Sequence, residues 1–208
     1  KLLQEKADPM QLRKHAILGQ NGSESEKLKR IKELVDDYII ENRNVIIFTF
    51  FLQVIAEIKR LFPDAGVITG KVPHKERMRI IDCFSETDGN KKGKILINQI
   101  TAGGMGINLQ TASAVIITEP QLNPAVEDQA ISRAHRMGQR SNVDVHYLIA
   151  TSTIEEGLLK ALTTKREYMD NYARDSLLKE QSASAISQEE ITQIMKTQED
   201  KLNKKLSA

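Results

Sequence analysis

The chain has one cysteine, Cys83, no tryptophan, four tyrosines and five phenylalanines among its 208 residues. A single cysteine excludes an internal disulfide framework and a cysteine-rich zinc site. Nowhere do about 18 apolar residues run together, the length a membrane-crossing helix needs. The opening Lys1-Leu2-Leu3-Gln4-Glu5 lacks a signal-type apolar stretch and an initiator Met. The chain is therefore expected to be a fragment of an intracellular protein, cytoplasmic in a bacterium or archaeon and nuclear in a eukaryote. An excess of one charge is lacking too: 30 Lys and Arg against 28 Asp and Glu leave +2. That excludes a histone-like polycation but not a local basic groove. With aromatics at 4%, base stacking is a poor main mode of nucleic-acid binding, so any contact should fall on phosphates.

Hydrophobic residues make up 40%, enough for a sizeable core and too many for wholesale disorder. At about 150 residues per domain, the length suits one domain with appendages. Residues 1–25 have weak periodicity and read as a connecting segment. Helical spacing of Leu28, Ile31, Leu34, Val35, Tyr38 and Ile39 predicts a helix from about Glu26 to Asn42. The β-branched run Val45 to Thr49 predicts a strand buried on both faces. The alternation continues with a helix over 52–61, a strand over 66–69, a helix over 75–85 and a strand over 94–98. Further strands are expected at 114–118 and 143–149, with a helix between them from Pro124 to about Met137, capped by Asn123. This is an α/β pattern with a mainly parallel sheet. Two capping boxes, Thr153-Ile154-Glu155-Glu156 and Ser187-Gln188-Glu189-Glu190, open a long helix to about Tyr172 and a short one to about Met195. The core domain is expected at 26–150 and appended helices at 151–208.

Several kinds of chemistry can be tested against the residues. Gly66-Val67-Ile68-Thr69-Gly70-Lys71-Val72 is one residue short of a phosphate-binding P-loop and ends in Val where a hydroxyl is needed for magnesium. Gly104-Met105-Gly106-Ile107-Asn108-Leu109 fails as a dinucleotide fingerprint, because a leucine stands at the third position. Gly103, Gly104 and Gly106 nevertheless follow a buried strand directly, where they could form either a tight turn or a ligand-facing loop. Gln129, Arg133 and Arg136 are spaced by four and three residues, so they share one helix face. Two guanidinium groups in that setting suit phosphate or carboxylate; the alternative is a solvated face with incidental ion pairs. The four histidines, His15, His74, His135 and His146, show no metal-ligand spacing. Cys83, beside Ile81 and Phe84, reads as a buried structural thiol. Lys71, Lys75, Arg77, Arg79, Lys91, Lys92 and Lys94 crowd the sequence around the second and third strands.

Taken together, Ala102-Gly103-Gly104-Met105-Gly106-Ile107-Asn108-Leu109, then Asn123-Pro124, then Gln129-Ala130-Ile131-Ser132-Arg133-Ala134-His135-Arg136-Met137-Gly138-Gln139 resemble the second motor lobe of Swi/Snf-type ATPases, superfamily-two DNA translocases related to helicases. Val45 to Thr49, Ile68-Thr69-Gly70 with Glu76-Arg77, and Thr153 to Glu156 extend the resemblance over about residues 26–172. The chain departs from the family in having Leu122 where Trp is usual and Glu119-Pro120 where Asp-Pro is usual. The Glu-Pro-Gln form looks more like bacterial members.

The resemblance implies a RecA-like, mainly parallel sheet flanked by helices. It implies that Arg133 and Arg136 are arginine fingers reaching the β- and γ-phosphates of ATP held by another lobe. Gln129 would order the nucleotide site, and Gly104, Gly106 and Asn108 would lie beside the nucleotide. Thr49, Gly70, Lys71, Arg77 and Thr101 would touch DNA phosphates. The P-loop and the magnesium-binding acids of the family belong to the first lobe, so ATP and Mg2+ would be held mainly there. Implied partners are that N-terminal RecA-like lobe of the same parent chain and the backbone of double-stranded DNA. The fragment is expected to be monomeric and to lack ATPase activity alone. The competing readings are a non-catalytic DNA- or protein-docking module and the lobe of a strand-separating helicase.

Overall fold

The structure is a computed structural model that describes residues 8–19, 25–86, 93–104, 109–135, 142–172 and 185–206. The elements in chain order are α1 (Pro9–Leu18), α2 (Glu26–Ile40), β1 (Asn44–Thr49), α3 (Leu52–Leu61), β2 (Gly66–Ile68), α4 (His74–Ser85) and β3 (Ile95–Gln99). A short 3-10 turn (Ile100–Gly104) follows, then β4 (Ala112–Ile117), α5 (Pro124–Ala134), β5 (Asp144–Tyr147), α6 (Ile154–Tyr172) and α7 (Gln188–Leu206).

The five strands form one sheet in the order β2-β3-β1-β4-β5, and every pairing is parallel. Parallel strands need covering on both faces, and β1 shows how the sequence meets that need. Val45 and Ile47 point into a core made with α1, α2 and α3, through Ile17, Ile31, Val35, Val54 and Ile58. Ile46 and Phe48 point the other way, into a core shared with α4 and α5 through Ile81, Phe84, Ala130 and Ala134. The alternation is the period-two geometry of a strand, and all four residues are fully buried. A third cluster lies outside the sheet, where Ile154, Leu158 and Leu162 of α6 pack on Ile186 and Ile191.

Local signals fix several boundaries. The Asn123 side chain accepts from Ala125 N at 3.0 Å, and Pro124 sits in the first turn of α5. Ser187 and Glu190 make the reciprocal bonds of a capping box, at 3.1 and 2.7 Å. Asn42 takes φ 57° between α2 and β1, a left-handed conformation that asparagine tolerates better than most residues.

Three expectations are corrected. The segment before residue 26 contains a helix, α1, with Asp8 as its cap and Pro9 in its first turn. Its buried residues are Arg13 and Ile17, and a charged residue at a core position conceals the periodicity. The last helix runs on to Leu206 instead of ending near Met195. Gln198, 7% exposed, occupies the core-facing position seven residues after Ile191 and breaks the apolar pattern. Cys83 is exposed, not buried. Among the described residues, no helix is long and apolar enough to cross a membrane.

Candidate nucleotide and nucleic-acid interface

The sequence-predicted residues occupy two neighbouring zones. The first is the carboxyl edge of the sheet, where the loops after β1, β2, β3 and β4 come together. Gly70, Lys71 and Thr101 are exposed there. The second is the flank along α5. The chain leaves β3 through the 3-10 turn and reaches β4 with no crossover helix among the described residues, and Leu109 N donates to Arg133 O at 3.1 Å. That bond ties the end of the glycine-rich segment to the arginine-bearing helix. Gln129 is exposed on α5, whereas Arg133 is 8% exposed. Gly104 closes the 3-10 turn. Gly106, Asn108 and Arg136 lie outside the described residues.

Two of the expected phosphate contacts have other work. The Arg77 guanidinium donates to the carbonyls of Val72 (2.8 Å), Ala102 (3.1 Å), Thr69 (3.0 Å) and Gly70 (3.2 Å). At 8% exposure, Arg77 clamps the loop after β2 to the turn after β3 and does not face solvent. Thr49 is fully buried, and its hydroxyl lies 3.0 Å from Glu119 Oε2. Gly70 N donates to Gln99 Oε1 at 3.0 Å, and Gln99 Nε2 reaches Phe50 O at 3.4 Å. Gln99 therefore straps the loops after β1 and β2 together. These side chains hold the edge in shape, leaving Gly70, Lys71 and Thr101 as the outward-facing members of the predicted set.

Beneath the edge lies a buried ionic network. The Glu119 carboxylate is inaccessible to solvent and accepts from Phe50 N (2.5 Å), Thr49 Oγ1, Gln121 Nε2 (3.1 Å) and Thr118 Oγ1. Burial pushes its pKa up, and these donors together with the Arg13 charge oppose the shift. Arg13 of α1 donates to Pro120 O at 2.6 Å and lies 5.5 Å from the centre of the Phe51 ring. Lys27 of α2 donates to Thr118 O (2.7 Å) and pairs with Glu155 of α6 at 2.5 Å. Burial pushes Lys27 down and Glu155 up, each opposed by the other's charge. The Glu127 carboxylate, 1% exposed, accepts from Gln121 N (2.6 Å) and from Arg166 Nη2 of α6 (2.5 Å). Burial raises Glu127, with those two donors opposing.

Sequence reasoning missed Arg13, Lys27, Glu127, Glu155 and Arg166 as a set. Glu155 sits in the predicted capping box, and its nitrogen does donate to Thr153 Oγ1 at 3.2 Å. Its carboxylate instead turns inward to Ala150 N (2.8 Å) and Lys27. No local pattern links positions so far apart in the chain. Among the described residues, no group of three or more His, Cys, Asp or Glu is placed to hold a metal.

A five-stranded parallel sheet, a return from β3 to β4 with no α-helix among the described residues and a Gln-Ala-x-x-Arg helix beside that return define a RecA-like helicase lobe. Residues 26–138 match the helicase conserved C-terminal domain, and the chain belongs to that family, in its Swi/Snf branch. It is 37% identical over 147 residues to an uncharacterized ATP-dependent helicase of Mycoplasma pneumoniae, covering 69% of this chain and 14% of that protein. It is 35% identical over 151 residues to the putative ATP-dependent helicase/translocase YwqA of Bacillus subtilis, covering 70% and 16%. Among solved structures it resembles the C-terminal part of the Fun30 ATPase domain, with TM-score 0.60, 32% identity and coverage of 67% of this chain and 47% of that one. It also resembles the Sulfolobus solfataricus SWI2/SNF2 ATPase core in complex with dsDNA, with TM-score 0.56, 30% identity and coverage of 76% and 34%. The chain thus spans about a seventh of the length of the curated relatives it matches.

Proposed function

We propose that this chain is the second motor lobe, residues 26–150 with a brace over 151–208 and a connecting segment over 1–25, of an ATP-dependent double-stranded DNA translocase. The observation that carries the reading is the bond from Leu109 N to Arg133 O, which ties the residue after the glycine-rich segment to α5 in a chain of this family. ATP and Mg2+ are held mainly by the partner lobe, whose P-loop and acidic pair supply the phosphate cradle and the metal site. Arg136, and Arg133 on turning outward from the 8% exposure it has in this chain, reach across the cleft to the β- and γ-phosphates and stabilise the charge that develops as the terminal phosphoryl group transfers. Gln129 orders the same site, and Gly104, Gly106 and Asn108 lie beside the nucleotide.

Closure follows from the shared ligand: phosphates bonded to groups of both lobes draw the lobes together, and hydrolysis removes the link. Lys71 and Thr101, on an edge stiffened by Arg77 and Gln99, grip the DNA backbone through phosphates, with Gly70 keeping the loop open beside them. Thr49 contributes from beneath, by holding Glu119. Alternating grips then carry the protein along duplex DNA.

The test uses the isolated chain. It should bind duplex DNA with an affinity that falls steeply with salt, and it should hydrolyse no ATP. Lys71→Ala should weaken binding uniformly across sequences and lower the salt slope by about 1. Robust ATP hydrolysis by the isolated chain would contradict the assignment of half a site to it.

A further inference from the structure

The first turn of α5 is held by α6, an element outside the region matched by the family. Arg166 Nη2 lies 2.5 Å from Glu127 Oε2 and 3.3 Å from Asp128 Oδ1. The same guanidinium lies 5.7 Å from the centre of the Tyr147 ring at the end of β5. Glu127 Oε1 accepts from Gln121 N in the loop that enters α5. One cation therefore joins α6, the end of β5 and the start of the helix that carries Gln129 and Arg133.

We infer that Arg166 is a positioning residue, helping to fix the rotation of α5 about its axis and so the aim of Arg133 at its far end. The inference rests on the reading of α5 as the arginine-finger helix. An 11-residue helix behaves as a rod about 16 Å long. Ala130 and Ala134 pack its inner face against the core and a main-chain bond from Leu109 ties its far end, while Glu127 adds the polar constraint on roll at the near end. Glu127 is the buried ionisable side chain there, and its carboxylate needs a charged partner to stay ionised inside the protein. Without Arg166, the carboxylate must take a proton or turn towards water, and either change lets the helix roll. Displacement of catalytic groups by about 1 Å can cost on the order of 100-fold in rate.

Arg166 does not touch the nucleotide in this account, so its loss should change turnover and spare ground-state binding. The test is DNA-stimulated ATP hydrolysis by the two-lobe parent chain, comparing wild type, Arg166→Met, the double variant Arg166→Met with Glu127→Gln, and Arg136→Ala. Arg166→Met should lower kcat by about tenfold or more, with KM for ATP and the Kd for duplex DNA held within about threefold. The double variant leaves no unpaired buried charge. It should regain the wild-type melting temperature while its kcat stays low, which separates aiming the helix from merely stabilising the fold. Wild-type kcat in the double variant, with Arg136→Ala impaired, overturns the inference and leaves the reading of α5 standing. If Arg136→Ala itself is unimpaired, the reading of α5 fails and this inference with it.

Discussion

Asn98 sits in β3 between Phe48 of β1 and Ile68 of β2, with no accessible surface, and neither its amide nitrogen nor its amide oxygen has a partner among the described residues. A buried polar group left unpaired costs about 1–3 kcal/mol. Asn98→Val removes that cost and keeps a side chain of similar shape on a strand position that favours β-branching. It should raise the melting temperature by about 2–4 °C or more, read by thermal unfolding; a lowered value would mean that the amide serves the fold. At this scale the sequence was only partly legible. Arg77, Thr49 and Gly70 stand where the family pattern puts phosphate contacts, yet Arg77 and Thr49 face inward and the amide of Gly70 is engaged by Gln99. Residue type and motif position show which loop a group belongs to. Which way a side chain points depends on neighbours from other loops.

Elements were more legible, because strands buried on both faces write themselves as β-branched runs. The run Val45 to Thr49 and the cap Asn123-Pro124 are both where the spacing puts them. Helix α1 escaped, and the last turns of α7 were cut off, because polar side chains, Arg13 and Gln198, take core positions. The seam between α2 and β5 shows how elements are joined by polar groups. The Tyr38 hydroxyl lies 3.0 Å from Asp144 Oδ2 and 2.7 Å from His146 Nε2, and Arg43 lies 2.6 Å from the same carboxylate and 4.6 Å from the ring centre. Burial and then the Asp144 hydrogen bond push the Tyr38 pKa up to about 12 from its ordinary 10.0. The folded chain thus holds the phenol proton more tightly than the unfolded chain does. The stability this contributes is fully present below pH 10 and is lost as pH rises towards 12. Urea unfolding across that window should show a shallower loss in Tyr38→Phe than in wild type, and equal slopes would contradict the account. The Asp144 carboxyl is held below its ordinary value, chiefly by its bond from Arg43, so the same seam also weakens in strong acid.

For the whole molecule, the pieces outside the family match are not separate from the lobe. Arg13 of α1, and Glu155 and Arg166 of α6, reach the loop after β4 or the side chains that hold it. A Cβ at Gly157 would collide with Ile194, so the close crossing of α6 and α7 needs a glycine there. The sheet and the helices α2 to α6 were legible from hydrophobic periodicity and caps, and the family from its motifs. The ionic network was not, because its members lie far apart in the chain and carry no shared pattern. The central claim is that this lobe supplies the charge that completes an ATPase site. It is tested most directly by DNA-stimulated ATP hydrolysis in the two-lobe parent chain, comparing Arg136→Ala with wild type and checking the fold by circular dichroism. The account predicts a fall of about a thousandfold or more with duplex DNA binding retained. An unchanged rate in the folded variant would contradict it and leave a binding module in its place.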